Sequence, residues 1–324
     1  MHALVEIHEE VHEALLERRP IVALESATLA HGPPSPGPVE TAADPVETAA
    51  DPVETAAAVE KAVREAGAIP ATVGIADGRF VIGMDGVDIE RFATAPADRV
   101  ARVGSGGIGA AIASGGLGAT TVAAALVGAE LAGIPVFSTA GVGGVHPGAG
   151  GTFDVSADLT QCTRNKVAVV CAGAENVLCA RPTLEYLETL GVPVIGYRCE
   201  DFPAFYCRSS GLRNPQRMDD LADIARALRT HWDLGLPGGA LVTTPIDEAH
   251  ALDRDAVASV LRRALADADR SGVTGPGITP YLTKAVARAT GGAGDEAHRA
   301  VLVGTARTAG DLAVALSRPP GARP

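Results

Sequence analysis

The stretch VFSTAGVGGVHPGAGGTFDVSADLTQCTRNKVAVVCAGAENVL, from Val136 to Leu178, places a glycine-rich loop between two apolar runs. The runs IPVFSTA and KVAVVCAG are short and rich in small apolar residues, which predicts buried β-strands. The loop GVGGVHPGAGG (Gly141 to Gly151) has too little side chain to pack a core. It therefore predicts backbone N–H groups that approach an anion such as a phosphate.

The rest of the chain repeats this alternation. Helical patterns such as TTVAAALVGAELAG alternate with strand-like runs such as PIVALES and VPVIGY, which is typical of a sheet covered by helices on both faces. An opening helix is predicted from about Val5 to Arg18, and a helix-rich tail from Met218. No composition break marks a boundary, so residues 1–324 are predicted to form a single α/β domain.

A tandem repeat interrupts the pattern at about residues 38–57. It reads PVETAAD PVETAAD PVETAAA, and Pro38, Pro45 and Pro52 recur at every seventh position. A heptad could suggest a coiled coil, but proline at each repeat would break a continuous helix. The repeat is therefore predicted to be an inserted exposed loop or a set of broken helical turns.

Composition excludes several classes of partner. The net charge of -12 argues against binding a nucleic acid polymer, and one Trp with four Tyr offers few stacking surfaces for single strands. A phosphate of mononucleotide size stays compatible, because it needs only a local positive pocket. The five cysteines are odd in number and lack a C-x-x-C pair, which predicts reduced thiols rather than disulfides or a zinc site.

Neither a membrane span nor a secretion signal is predicted. The apolar runs are short or interrupted by glycine, and the N-terminal segment is acidic and amphipathic, so a cytoplasmic protein is expected. His8 to His12 fit the H-E-x-x-H pattern of zinc proteases, but no third ligand pattern follows. Solvated histidines on an amphipathic helix are the expected interpretation.

Acidic residues follow the glycine-rich loop directly. Asp154 and Asp158 lie four residues apart with Ser156 between them. Two such carboxylates beside a loop that exposes its backbone can hold a hard divalent cation, while Ser156 and the loop take a phosphate or a sugar. A helix N-cap with solvated acids is the alternative that this spacing leaves open.

Further segments point to a known family. Together with the first stretch, they resemble the pseudouridine-5'-phosphate glycosidase family over nearly the whole chain: VALESATLAHG (Val22 to Gly32), GAIPATVGIADG (Gly67 to Gly78), GATTVAAAL (Gly118 to Leu126), TLEYLETLGVPVIGY (Thr183 to Tyr197) and FPAFY (Phe202 to Tyr206). The resemblance implies a three-layer α/β/α sandwich, a homotrimer and a divalent metal such as Mn. It implies reversible cleavage of the C–C glycosidic bond of pseudouridine 5'-phosphate into uracil and ribose 5-phosphate. Some relatives make such bonds in C-nucleoside pathways.

The resemblance also assigns candidate site residues. It implies an acid at Glu25, a metal ligand at Asp154, a backbone contact to substrate at Val122, and substrate contacts at Ser156, Ala157 and Asp158. His146 lies in a matched loop and is predicted to line the substrate site, with a hydrogen-bonded structural histidine as the alternative.

Two family lysines are replaced in this chain. The family reads CAGAK, and its lysine forms a Schiff base with the opened sugar, whereas this chain reads CAGAE and offers Glu175, which cannot form an imine. The second lysine falls on Arg102, which keeps a positive charge that can bind a phosphate. The chain's other lysines are Lys61, Lys166 and Lys284; none is at the family position, and solvated surface positions are expected.

These observations give three functional hypotheses. The first is a divergent C-glycosidase or C-glycosynthase that joins ribose 5-phosphate and a heterocycle, with Glu25 as general acid/base and Glu175 as a second proton carrier whose pKa is raised by burial. The second is a catalytically inactive paralogue that binds ribose phosphate. The third is an unrelated metal-dependent hydrolase that uses Asp154 and Asp158.

Overall fold

A computed structural model describes residues 3–31, 51–175, 177–273 and 278–318. Its strands are β1 (Val5–Ile7), β2 (Ile21–Glu25), β3 (Ile69–Ala76), β4 (Arg79–Ile82), β5 (Val100–Val103), β6 (Leu117–Thr120), β7 (Val136–Ser138), β8 (Ala168–Cys171), β9 (Val194–Tyr197), β10 (Gln216–Met218) and β11 (Ala240–Thr243). Its helices are α1 (Glu9–Leu16), α2 (Ala27–His31), α3 (Pro52–Glu65), α4 (Gly86–Thr94), α5 (Ile108–Ser114), α6 (Val122–Ala132), α7 (Ala149–Thr152), α8 (Ala157–Arg164), α9 (Ala180–Thr189), α10 (Leu221–Asp233), α11 (Arg254–Arg270), α12 (Ile278–Thr290) and α13 (Ala293–Ser317).

The strands form one mixed sheet in the order β1-β4-β3-β2-β7-β8-β11-β9-β10, with β6 paired to β3 and β5 paired to β6. Strands β2, β7, β8, β11 and β9 run parallel, as the βαβ pattern predicts. Strand β3 is antiparallel to β4 and to β6. The β3–β4 hairpin turns at Asp77 and Gly78, which both have positive φ (51° and 78°), and an Asp-Gly pair suits such a turn.

Helices cover both faces of this sheet, which confirms the three-layer α/β/α prediction. On one face, α1, α6, α8 and α9 share a buried apolar cluster with the sheet. On the other face, α3, α10 and α13 form a second cluster. Adjacent strand residues alternate between the two, since Phe137 belongs to the first cluster and Val136 to the second. The single-domain prediction for residues 1–324 stays a prediction.

Helix α13 is the one helix in the described ranges that is long and apolar enough, by length and composition, to cross a membrane. Its buried residues, including Val301, Ala309 and Leu312, belong to the second apolar cluster. It packs against α3, α10 and the sheet. These contacts are those of a core helix.

The opening helix predicted from Val5 to Arg18 is wrong at its start. Val5 and Ile7 pair with Phe80 and Ile82 of β4, and the His8 N–H donates to the Ile82 carbonyl at 3.0 Å. Helix α1 therefore begins only at Glu9. Pairing to the sheet edge outweighs the helical periodicity of these few residues.

The tandem repeat is described only in its third copy, because residues 38–50 lie outside the described ranges. This copy opens α3: the Asp51 side chain accepts the Val53 N–H at 2.8 Å, and Pro52 occupies the first turn. Proline fits there because its missing N–H has no helical partner to lose. The third copy therefore forms the first turns of a helix that starts at its proline, and the prediction of an inserted loop or broken turns stays a prediction for residues 38–50.

The carboxyl edge of the parallel strands brings distant residues together. Glu25 ends β2, Thr139 follows β7, and Glu175 follows β8, so all three leave the sheet at one edge. A buried network fixes the neighbouring backbone, because the hydroxyls of Ser26 and Thr120 both donate to the Val73 carbonyl, at 2.7 and 2.6 Å. This edge is where a ligand crevice is expected in an α/β sheet.

Candidate active site

Glu25 is held at the sheet edge by Thr139. The Thr139 hydroxyl donates to the Glu25 carboxylate at 2.6 Å. Although part of Glu25 is reachable from solvent, the surrounding protein desolvates it, and this burial raises the pKa of Glu25 to about 7 against the opposing effects of Thr139 and Arg102. A carboxyl group with such a pKa can both donate and accept a proton near neutral pH.

Glu175 lies close enough to Asp158 and Arg102 for their charges to change its pKa. Its backbone N–H donates to the Val142 carbonyl at 3.1 Å, which fixes the residue after β8. Burial raises the pKa of Glu175 to about 7; the negative charge of Asp158 adds to this rise and Arg102 opposes it. Within the described ranges, no hydrogen bond to its carboxylate is found. The two glutamates thus form a pair of acids that are both partly protonated near neutral pH.

Asp158 is the most firmly bound carboxylate of the site. One oxygen accepts the Ala123 N–H at 2.9 Å, and the other accepts the Gly143 N–H at 2.8 Å. Burial raises its pKa, and these hydrogen bonds and Arg102 oppose that rise. A Cβ at position 143 would collide with Ser156 Oγ, so this close approach requires glycine. Both Asp158 oxygens are therefore engaged with backbone donors, which does not favour a metal held jointly with Asp154.

Two helix N-termini meet beside Asp158. Ser156 caps α8 and its hydroxyl accepts the Asp158 N–H at 3.2 Å, so the N-cap alternative holds for this residue. Ala157 is the exposed first residue of α8, and Val122 is the buried first residue of α6. Since helix N-termini carry partial positive charge, this arrangement suits an anionic group such as a phosphate.

Arg102 supplies a positive charge from β5. Its side chain is exposed. Its positive charge opposes the rise that burial causes in the pKa of Glu25, Asp158 and Glu175. It therefore lies within electrostatic reach of all three carboxylates.

His146 and Asp154 face each other across the glycine-rich loop. The His146 N–H donates to the Asp154 carbonyl at 3.0 Å, and His146 Nδ1 lies 3.9 Å from the Asp154 carboxylate. Asp154 is partly exposed, while His146 Nδ1 is buried and has no hydrogen-bond partner among the described residues. A free carboxylate oxygen beside an unpartnered imidazole nitrogen is a donor set that fits a divalent transition metal.

Two of the three lysines lie on the surface, away from Glu175. Lys61 is an exposed residue of α3 that pairs with Glu65. Lys166 is exposed and precedes β8, so it lies at the opposite edge of the sheet from Glu175. The surface prediction is confirmed for these two. Lys284 is half-buried on α12, a helix whose Leu282 shares an apolar cluster with Val177.

Two features were missed or misread at the sequence level. Thr139 carries no motif of its own, although its place directly after a strand next to β2 could have marked it. His8 is not a solvated residue of the helix but precedes α1, and its Nε2 lies 3.1 Å from Asp88. His8, Asp85 and Asp88 offer ligand atoms within 4.8 Å of one another, but the direct contact of His8 with Asp88 accounts for the cluster without a metal.

The role of Thr139 can be tested by Thr139→Val. Because its hydrogen bond stabilises the ionised form of Glu25, its loss should raise the pKa of Glu25 further. The limb of the pH–rate profile that reports Glu25 should shift to higher pH. Thr305→Val is the control, since among the described residues that buried hydroxyl donates to the Val301 and Leu302 carbonyls of its own helix. An unshifted profile in Thr139→Val would contradict the assignment.

Comparison with known proteins agrees with this geometry. Residues 10–315 match the family described as indigoidine synthase A like protein. The pseudouridine-5'-phosphate glycosidase of Dickeya dadantii (strain 3937) is 50% identical over 314 residues, covering 97% of this chain and 94% of that protein. The crystal structure of the prealnumycin C-glycosynthase AlnA in complex with ribulose 5-phosphate superposes with a TM-score of 0.88 at 45% identity, covering 98% of each chain.

A third relative has a lower sequence identity but also matches over nearly the whole of both chains. The indigoidine synthase A-like protein of Thermotoga maritima has a TM-score of 0.81 at 29% identity, covering 98% of this chain and 99% of that one. The chain therefore belongs to the indigoidine synthase A-like family, and the resemblance to the pseudouridine-5'-phosphate glycosidases is confirmed.

Proposed function

We propose that this protein makes or breaks the C–C glycosidic bond between ribose 5-phosphate and a heterocyclic base without forming an imine, and that it works as a C-glycosynthase. The observation that carries the proposal is the convergence of Glu25, Asp158 and Glu175 on Arg102 at the carboxyl edge of the sheet. Carboxyl groups whose pKa values are raised by burial and altered by a shared charged partner cluster at functional sites. The relatives named as a glycosidase and as a C-glycosynthase support the reaction class.

The sugar phosphate is the better supported half of the substrate. Arg102 and the N-termini of α6 and α8 provide positive charge and N–H donors at one place. In this proposal Arg102, Val122, Ser156, Ala157, Asp158 and His146 line the sugar phosphate site. The complex of AlnA with ribulose 5-phosphate, a related sugar phosphate, supports this assignment.

The chemistry needs two proton carriers. In its open form ribose 5-phosphate has an aldehyde, and a nucleophilic carbon of the heterocycle adds to that carbon. Glu25 donates a proton to the aldehyde oxygen as the C–C bond forms, and Glu175 accepts the proton that leaves the heterocycle carbon. Glu175 then gives its proton to the new hydroxyl, which leaves as water. A sugar hydroxyl attacks the same carbon, closes the ring and returns its proton to Glu25. The reverse sequence consumes water and cleaves the bond.

A divalent metal completes the proposal. Asp154 would hold it, and Mn²⁺ is the proposed ion. When bound, such an ion polarises an oxygen of the substrate as a Lewis acid. We also propose that the protein is a homotrimer, as the family resemblance implies, and that it is cytoplasmic.

Turnover without a covalent sugar adduct is the expected result. The full-length protein would be incubated with Mn²⁺, ribose 5-phosphate and electron-rich heterocycles, including uracil, and products would be followed by mass spectrometry. Borohydride trapping should leave the protein mass unchanged. A Glu175→Lys variant, which restores an amine at the family position, is the positive control for trapping.

Two results would contradict the proposal. Neither coupling nor cleavage of pseudouridine 5'-phosphate, with ribose 5-phosphate still bound in calorimetry, would establish the alternative of an inactive binding paralogue. A trapped sugar adduct on the wild-type protein, with Lys284 the first position to inspect, would show that the imine route persists through another amine.

A further inference from the structure

We infer that His146 is a second protein ligand, through Nδ1, of the divalent cation that Asp154 holds. This inference rests on the metal of the proposed function and adds a ligand to it. The sequence and the family resemblance assign His146 to the substrate site or to a structural role, and they assign the metal to Asp154 alone.

The loop that carries both residues is closed at its base. Val145 and Val155 form an antiparallel bridge, and the His146 N–H donates to the Asp154 carbonyl at 3.0 Å. The Ser156 N–H donates to the Gly144 carbonyl, also at 3.0 Å. Backbone hydrogen bonds therefore hold the two side chains on facing positions before any ligand binds. Such preorganisation is what a metal site with few protein ligands needs.

The spacing of the two side chains fits a shared ion better than a direct contact. His146 Nδ1 lies 3.9 Å from the Asp154 carboxylate oxygen. This separation is too long for a hydrogen bond. Two ligand atoms that each lie about 2.0–2.2 Å from one metal ion are about 3–4 Å apart, depending on the angle between them.

The unpartnered nitrogen supports the same conclusion independently. In the part of the chain that the structure describes, the buried His146 Nδ1 has no hydrogen-bond partner, and the side chain as a whole is only 18% exposed. A buried polar atom without a partner costs free energy, because it has lost its hydrogen bonds to water. Direct bonding to a cation would remove that cost, and the partly exposed Asp154 leaves the ion open to solvent and substrate.

A nitrogen ligand also restricts which cation binds. Imidazole suits transition metals such as Zn²⁺, Fe²⁺ and Ni²⁺, whereas the ligands of Mg²⁺ are almost all oxygens. Mn²⁺ also suits oxygen ligands but, as a transition metal, accepts an imidazole more readily than Mg²⁺ does. The protein should therefore prefer Mn²⁺ to Mg²⁺, and His146 should be the source of that preference.

Binding of Mn²⁺ alone tests the inference on the full-length protein without substrate. The free ion would be quantified by electron paramagnetic resonance, and Mg²⁺ would be added as a competitor. His146→Gln should weaken Mn²⁺ binding by at least about tenfold and reduce the preference over Mg²⁺. His231→Gln is the matched control, because His231 lies on α10 with its ring nitrogen 3.1 Å from the Pro237 carbonyl.

A second measurement needs no variant. Pulsed electron paramagnetic resonance on the Mn²⁺-loaded wild-type protein should show coupling to an imidazole nitrogen, and its absence would overturn the inference. Unchanged Mn²⁺ affinity and preference in a folded His146→Gln protein would overturn it as well. If Asp154→Asn loses Mn²⁺ binding and His146→Gln keeps it, the role of His146 fails and the metal of the proposed function stands. If the wild-type protein binds no Mn²⁺, the metal of the proposed function fails too.

Discussion

Glu25→Gln is expected to lower kcat by about 10²–10⁴-fold while leaving ribose 5-phosphate binding nearly intact. Glutamine keeps the shape of the side chain and can still accept the Thr139 hydrogen bond, which is 2.6 Å long. It cannot donate and recover a proton at the reacting oxygen. The rate of coupling or cleavage and the calorimetric affinity for ribose 5-phosphate, measured on the same preparation, separate these two effects.

Glu60→Gln is the matched control for that experiment. Glu60 is also a largely buried glutamate; burial raises its pKa, and it accepts a hydrogen bond from the Thr72 hydroxyl at 3.2 Å. It lies on α3, which packs on the face of the sheet away from Asp158 and α8. This variant should keep the wild-type rate. Equal activity in Glu25→Gln and Glu60→Gln would remove Glu25 from the mechanism.

The central sheet could be predicted from sequence because its signals are local and repeated. The runs that became β7, β8 and β9 are short and apolar, and the helices between them have a clear period. The failures lie where long-range pairing decides. Three residues at Val5–Ile7 follow a helical pattern but join β4, and no local signal distinguishes the two outcomes. Proline at every seventh position argues against a continuous helix through the repeat, but the pattern does not indicate that Pro52 starts a helix.

The candidate site was less predictable than the fold. Family motifs marked Glu25, Asp154 and Asp158 but could not show how each is used. Both oxygens of Asp158 accept backbone N–H groups, from Ala123 and Gly143, which only the folded chain brings together. The contact of Thr139 with Glu25 joins residues 114 positions apart. Perturbed pKa values and unpartnered atoms depend on such three-dimensional surroundings.

Glu175→Gln is expected to remove one limb of the pH–rate profile and to change how stability depends on pH. The folded protein raises the pKa of Glu175 from 4.5 to about 7, chiefly by burial. Between these values the folded state binds more protons than the unfolded state, so the free energy of unfolding falls as pH rises. The full effect is up to about 3 kcal/mol, since one pKa unit corresponds to about 1.4 kcal/mol.

Glutamine does not titrate, so the free energy of unfolding of the variant should not fall with pH in this way. The free energy of unfolding of Glu175→Gln minus that of the wild type should therefore be more positive at about pH 8 than at about pH 5. Urea unfolding of both proteins at the two pH values measures this difference. Glu13→Gln, on the exposed side of α1, provides the comparison for a surface glutamate and should show no such difference. If Glu175→Gln has the same effect on the free energy of unfolding at both pH values, Glu175 is already ionised well below neutral pH. The assignment of Glu175 as the second proton carrier, which depends on a pKa near neutral, would then lose its support.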